Sequence, residues 1–107
     1  MKDQIPDKLM SGVKSELVIG VLGLGFVGAA TALVCSGRIP GAYVIAFDRP
    51  AENSFWKIAD LNEGDFPLDA DDELIREYSG KSKRNRNIAA THDLSYLSRC
   101  DYIVCCV

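Results

Sequence analysis

Gly23, Gly25 and Gly28 fall in the order Gly23-Leu24-Gly25-Phe26-Val27-Gly28, a G-x-G-x-x-G pattern that directly follows an apolar run from Leu17 to Leu22. Residues without side chains at this spacing suit one task, which is to bring bare peptide N–H groups up to a ligand rich in anionic oxygen. Gly23 allows a tight turn out of a strand, Gly25 leaves room for a diphosphate against the backbone, and Gly28 lets the next helix pack closely. The helix would contribute the backbone of Leu24, Phe26 and Val27 and its positive dipole end, with no need of a basic side chain.

A carboxylate completes the constellation. The second apolar run, Tyr43 to Phe47, ends on Asp48, twenty residues beyond Gly28 (positions 28 to 48). At the tip of a strand beside the turn, Asp48 would accept hydrogen bonds from the hydroxyls of an adenosine ribose. A 2′-phosphate would meet its negative charge, so NAD is favoured over NADP; Arg49 is the neighbour that could accommodate such a phosphate. A strand before the glycines, a helix after them, a second strand and a terminal acid make a dinucleotide-binding βαβ unit the leading reading. The bland alternative is a glycine turn that only joins strand to helix. The candidate cofactor-binding set is Gly23, Leu24, Gly25, Phe26, Val27, Gly28, Asp48 and Arg49, with no catalytic residue assigned.

Nothing else in the chain competes for chemistry. Its cysteines are Cys35, Cys100, Cys105 and Cys106, its only histidine is His92, and no C-x-x-C pair occurs, so no metal site is expected. The thiols read as reduced, buried or half-buried small hydrophobes, with Cys105 and Cys106 on opposite faces of a strand. The 107 residues are 48% hydrophobic and 25% charged with a net charge of -3, ordinary for one globular domain and without pull toward nucleic acid or an anionic membrane. No run approaches the roughly eighteen apolar residues of a membrane span, and residues 1–15 form a polar leader without the apolar core of a secretory signal. A cytoplasmic location follows as the default.

These residues must be positioned by an α/β fold. Leu17 to Leu22 reads as a central parallel strand, about Gly25 to Ser36 as a mostly buried helix with Gly37 as its C′ residue, and Ala42 to Phe47 as the second strand. Ile5 to Met10 could form a short helix, Ile39-Pro40-Gly41 a turn, and Pro50 the start of a helix. That helix carries Phe55, Ile58, Ala59 and Leu61 inward, leaves Trp56 off the stripe and ends at Asn62-Glu63-Gly64. A loop anchored by Phe66-Pro67-Leu68 leads to an acidic helix start at Asp71 to Glu73. Leu74, Ile75 and Tyr78 give this helix its inward face, Gly80 stops it, and Lys81 to Arg86 is a basic run read as a solvated loop, with a phosphate contact as the alternative. Ile88 to Ala90 is the third strand, Thr91 or Asp93 caps a helical turn bearing Leu94 and Leu97, and Tyr102 to Val107 is a fourth, buried strand. The order predicts a Rossmann-like parallel sheet of about four strands, partial, with helices on both faces over residues 16–107. The first and fourth strands should be neighbours at the switch point, where a dinucleotide would lie. A bare fourth strand exposes apolar edge and predicts a homo-oligomer.

Several of these segments together resemble the N-terminal NAD-binding domain of the UDP-glucose/GDP-mannose dehydrogenase family, the nucleotide-sugar 6-dehydrogenases. The matching pieces are Ile19 to Gly28, Val44 to Asp48, Leu61-Asn62-Glu63-Gly64, Pro67-Leu68, Ala90-Thr91-His92-Asp93-Leu94 and Cys100 to Val107. The leader Lys8-Leu9-Met10-Ser11-Gly12 is similar to that of members acting on UDP-N-acetylhexosamines and their uronates. Asn53 stands where the family often has a lysine or arginine, and Asp69 to Glu73 replaces its usual Glu-Pro-Gly. The resemblance implies an NAD-dependent oxidoreductase of polysaccharide biosynthesis that oxidises a sugar C6 alcohol to the acid in two hydride transfers. It also implies a catalytic cysteine in a Gly-Gly-x-Cys segment and a substrate domain, neither matched here. The chain is therefore expected to bind NAD, to meet a nucleotide sugar only through C-terminal domains beyond it, and to be inactive alone. Two alternatives stay open: a dehydrogenase of the hydroxyacyl-CoA or 6-phosphogluconate type, and a non-enzymatic nucleotide-sensing module.

Overall fold

Short strands supply much of the buried apolar core, and the two faces of their sheet build two separate clusters. The structure, a computed structural model, describes residues 17–39, 41–49, 52–63, 65–66 and 72–106, with the backbone alone for 52–55. Its elements run β1 (Leu17–Leu22), α1 (Phe26–Arg38), β2 (Ala42–Phe47), α2 (Glu52–Asn62), α3 (Glu73–Asn85), β3 (Ile88–Thr91), a 3₁₀ helix (Leu94–Arg99) and β4 (Tyr102–Cys105). The sheet order is β3-β2-β1-β4 and every pairing is parallel. β1 and β4 are therefore adjacent where the order reverses, as the element sequence predicts. On one face Ile19, Val21, Val44, Ala46, Ile88 and Ala90 pack with Leu24, Ala32 and Leu33 near and on α1, and with Ile58 and Leu61 from α2. On the other, Tyr43, Ile45, Phe47 and Ala89 pack with Val18, Leu22, Tyr96, Leu97 and Cys100, the last three from the 3₁₀ helix and its end. All six residues of β2 are buried, which is the lot of an inner strand covered on both sides. Each fully buried aliphatic or aromatic side chain contributes about 1.5–3 kcal/mol.

The helices correct several expectations. α1 does not end at Gly37 but runs to Arg38, with Ile39 as C-cap. No left-handed glycine is needed there, because side chains from the far end of α3 satisfy the last carbonyls. Asn85 Nδ2 donates to Ser36 O at 3.0 Å, and Asn87 Nδ2 reaches Ser36 O at 2.9 Å, Ile39 O at 3.1 Å and Ala42 O at 2.8 Å. Gly37 serves instead as the point where α3 crosses, since a Cβ there would stand 2.8 Å from Tyr78 Cδ1. Nor is α1 mostly buried: its inward stripe is Gly28, Ala29, Ala32, Leu33, Ser36 and Gly37, while Phe26 and Val27 lie exposed.

Gly80 does not stop α3, which continues through the basic run and ends where Arg86 turns left-handed at φ 52°. A mid-helix glycine costs only about 1 kcal/mol, less than the packing of α3 on α1 supplies. Lys81 to Asn85 is thus helix rather than solvated loop; Ser82 is buried, and Lys83 and Arg84 sit where the dipole favours cations. Asp72 caps the start by accepting from Leu74 N at 2.8 Å. Leu74 and Ala59 point outward, one residue off their stripes, and Leu94 is exposed while Leu97 packs. Asp93, not Thr91, caps the 3₁₀ helix, and its bonds from the Ser95 hydroxyl and amide hold its carboxyl below the usual range.

β4 is the largest departure. It is not a buried strand: Tyr102, Ile103 and Val104 are 66%, 50% and 37% exposed, and Cys105 is exposed as well. It is an outer strand of the sheet, flanked among the described strands by β1 alone, and the described helices lie over the other three. The leader, the Ile5 to Met10 helix, Phe55's side chain, and Pro40, Pro50, Gly64, Pro67 to Asp71 and Val107 lie outside the described residues. Among the described residues no helix is long and apolar enough to cross a membrane.

The polar knot at the far end of the sheet generates a stability test. Ser36 Oγ, bonded to Asn87 Oδ1 and 2.7 Å from Ser82 Oγ, shares a buried site with the Asn87 amide. Asn87→Ala removes the acceptor of the Ser36 hydroxyl and a donor shared by the Ser36, Ile39 and Ala42 carbonyls, so chemical denaturation should show a loss of about 1–3 kcal/mol.

Candidate dinucleotide site

The carboxyl ends of β1, β2 and β3 finish in register, Leu22 beside Phe47 and Phe47 beside Thr91. Three hydrogen bonds close the last rungs: Gly23 N to Phe47 O at 2.9 Å, Asp48 N to Thr91 O at 3.2 Å, and Cys106 N to Leu22 O at 2.8 Å. The glycine turn and Asp48 therefore leave adjacent strands at the same edge, and the turn stands at the switch point between β1 and β4. That is where open α/β sheets place ligands.

Within the turn the three glycines differ in kind. Gly23 has φ 97°, a conformation that side chains resist. Gly28 faces the turn itself: a Cβ there would sit 1.7 Å from Gly23 O and 3.4 Å from Cys106 Cβ. The helix thus starts pressed against the carbonyl of its own approach, a closer contact than the helix-on-sheet packing expected of this glycine. Gly25 is the reverse. Its backbone (φ −71°, ψ −168°) is open to any residue, and nothing lies within 4 Å of a Cβ built on it. Neither strain nor packing asks for glycine at 25, and serine or aspartate would cap the helix at least as well. What the glycine provides is space in front of the amides.

Those amides lead the helix. The first intrahelical bond runs from Ala29 N to Gly25 O at 2.9 Å, so the N–H groups of Phe26, Val27 and Gly28 precede the ladder. The first turn of α1 carries no acid that would repel an anion. Leu24 is buried and its side chain anchors the turn in the core, while the ring of Phe26 meets Phe66 edge-on at 5.3 Å between centroids. Asp48 is half-buried, and its Oδ1 accepts the Arg49 amide at 2.9 Å; Arg49 is exposed beside it. The eight residues singled out from the sequence thus gather at one edge of the sheet. The residues fit a dinucleotide: an open cradle at Gly25, amides behind it and a carboxylate one strand over.

Residues that the sequence read in other roles also border the site. Cys106 abuts Gly28, and the Thr91 carbonyl accepts the Asp48 amide; only strand register brings them there, so no local pattern placed them at this edge. Burial raises the thiol pKa of Cys35, with the neighbouring Cys106 adding to it, and burial likewise raises that of Cys100. These effects leave Cys35 and Cys100 less nucleophilic, not activated. Among the described residues no cluster of three or more His, Cys, Asp or Glu could hold a metal ion.

Sheet order, crossovers and glycine turn define a Rossmann-like α/β chain. No family model matches it, and no curated protein does. Among solved structures it is similar to the NDP-N-acetyl-D-galactosaminuronic acid dehydrogenase of Methanosarcina mazei Go1, at 30% sequence identity and a TM-score of 0.75 over 94% of this chain. The likeness to nucleotide-sugar dehydrogenases seen in the sequence is thus met in three dimensions. The chain spans 21% of the length of that structure.

The contrast between glycines is testable without ligand. Gly28→Ala should lower the melting temperature by many degrees or prevent folding, because Gly23 O has nowhere to go. Gly25→Ala should fold with stability within about 1 kcal/mol of the parent.

Proposed function

We propose that this chain is the NAD-binding part of a nucleotide-sugar 6-dehydrogenase, an oxidoreductase that converts the C6 alcohol of a UDP- or GDP-sugar to the uronic acid. The observation that carries the reading is Gly25, a residue the fold does not need, set before three leading amides and one strand from Asp48. The similarity to an NDP-N-acetyl-D-galactosaminuronic acid dehydrogenase favours this reading over the acyl-CoA and phosphogluconate alternatives. Together with the leader Lys8 to Gly12, it points to the N-acetylhexosamine series.

In this reading the amides of Leu24, Phe26 and Val27 bind the diphosphate, and α1's dipole end favours its charge. Gly23 and Gly28 hold the turn that aims them, and Gly25 leaves the approach clear. The Asp48 carboxylate takes the adenosine ribose hydroxyls and disfavours a 2′-phosphate; Arg49 lines the same end. When bound, NAD supplies the hydride acceptor. The chain orients that cofactor, and sugar recognition and turnover belong to residues outside these 107. We place the protein in the cytoplasm, where its unpaired thiols stay reduced.

Titration calorimetry tests the cofactor assignment. NAD should bind more tightly than NADP, and Asp48→Ala should weaken NAD by about tenfold, or ~1.4 kcal/mol. Unchanged affinity in that variant would overturn the ribose assignment. The exposed apolar residues of β4 further lead us to propose self-association. Sedimentation coefficients should rise with concentration, and a monomer throughout would count against it.

A further inference from the structure

The Leu61-Asn62-Glu63-Gly64 segment has no part in the cofactor reading above, yet the structure sets its asparagine at a sensitive place. Asn62 is the last residue of α2, and its side-chain amide grips the backbone of β3 with both ends. Oδ1 accepts from Ala90 N at 2.9 Å, and Nδ2 donates to Ala90 O at 3.2 Å. β3 is an outer strand, only four residues long, and its other side is taken up by β2. The amide thus makes the pair of bonds that a neighbouring strand would make, on an edge where no described strand pairs.

The next residue is Thr91, whose carbonyl accepts the Asp48 amide at 3.2 Å. Thr91 Oγ1 also accepts the Asp93 amide at 3.0 Å, which starts the 3₁₀ helix. Asp48 opens the crossover from β2 to β3 and Asn62 closes the first of its two helices, and both attach to consecutive residues of one strand. We infer that Asn62 is a positioning residue for Asp48: it fixes the carboxyl end of β3, and through Thr91 the backbone on which the ribose-binding carboxylate stands. This rests on the reading of Asp48 as the ribose ligand.

The test compares ADP with 2′-deoxy-ADP, titrated into the 107-residue chain by NMR chemical-shift mapping. The parent should prefer ADP by about tenfold, the effect of one lost bond to a carboxylate. In Asn62→Ala the preference should fall to about twofold or less, while 2′-deoxy-ADP binds as before. Asn62→Asp keeps the acceptor and shape but loses the donor; it should show a partial loss, and it serves if Asn62→Ala does not fold. Equal weakening of both ligands, or an unaltered preference, would reduce Asn62 to edge protection and overturn the inference. Asp48→Ala is run beside them. If it abolishes the preference while the Asn62 variants retain it, only the positioning role falls. If the preference survives Asp48→Ala, the ribose assignment fails and takes the positioning role with it.

Discussion

Gly23's carbonyl occupies the space that a side chain on Gly28 would fill, and the remaining geometry of this edge follows from that contact. With the first turn of α1 pressed onto the end of β1, Leu24 is driven into the core as the plug beneath the turn. The leading amides of the helix then have one direction left, outward past Gly25. Gly23 meets the cost of the sharp reversal with a positive φ, and Gly28 meets the cost of proximity. Gly25 meets neither, which is why its openness bears on function and not on folding.

The opposite end of α1 is fixed by different means. There Gly37 admits Tyr78 of α3 at close range, and Asn85 and Asn87 supply donors to the final carbonyls of α1. Ser36, Ser82 and Asn87 share a buried polar site in which each group has a partner. A helix anchored at its tail by hydrogen bonds and at its head by a steric stop has little freedom to tilt, and its amides stay aimed. On the strand beside it, the register Leu22–Phe47–Thr91 carries the same rigidity to Asp48. One end of the sheet is thus locked by buried polar bonds and packing, and the other leaves an open cradle in front of the helix amides.

Much of this was legible from residue order. The βαβ opening, the parallel sheet, the adjacency of β1 and β4, and the gathering of eight candidate residues all follow from apolar periodicity and glycine spacing. These are local or nearly local signals. The misreadings at Gly37, Gly80 and the basic run share a cause: glycine and charge normally mark an end or a loop, and here packing between α1 and α3 overrode that preference. β4 was half legible. Its apolar composition reads as buried, whereas its place at the end of the strand order reads as a bare edge, and the edge position prevails because only β1 flanks it.

What residue order determined by itself was the turn: which backbone positions must lack side chains, and which carboxylate follows at what distance. Steric demands of that kind act between near neighbours, so they are written in the identities of those neighbours. What the tertiary structure alone decided was how firmly each glycine is required: Gly23 by its positive φ and Gly28 by the carbonyl against it, while nothing in the fold requires Gly25. It alone also brought Asn62, Thr91 and Cys106 to the same edge. Those relations are made by strands laid side by side from distant parts of the chain, and no span of sequence short enough to read as a motif contains them.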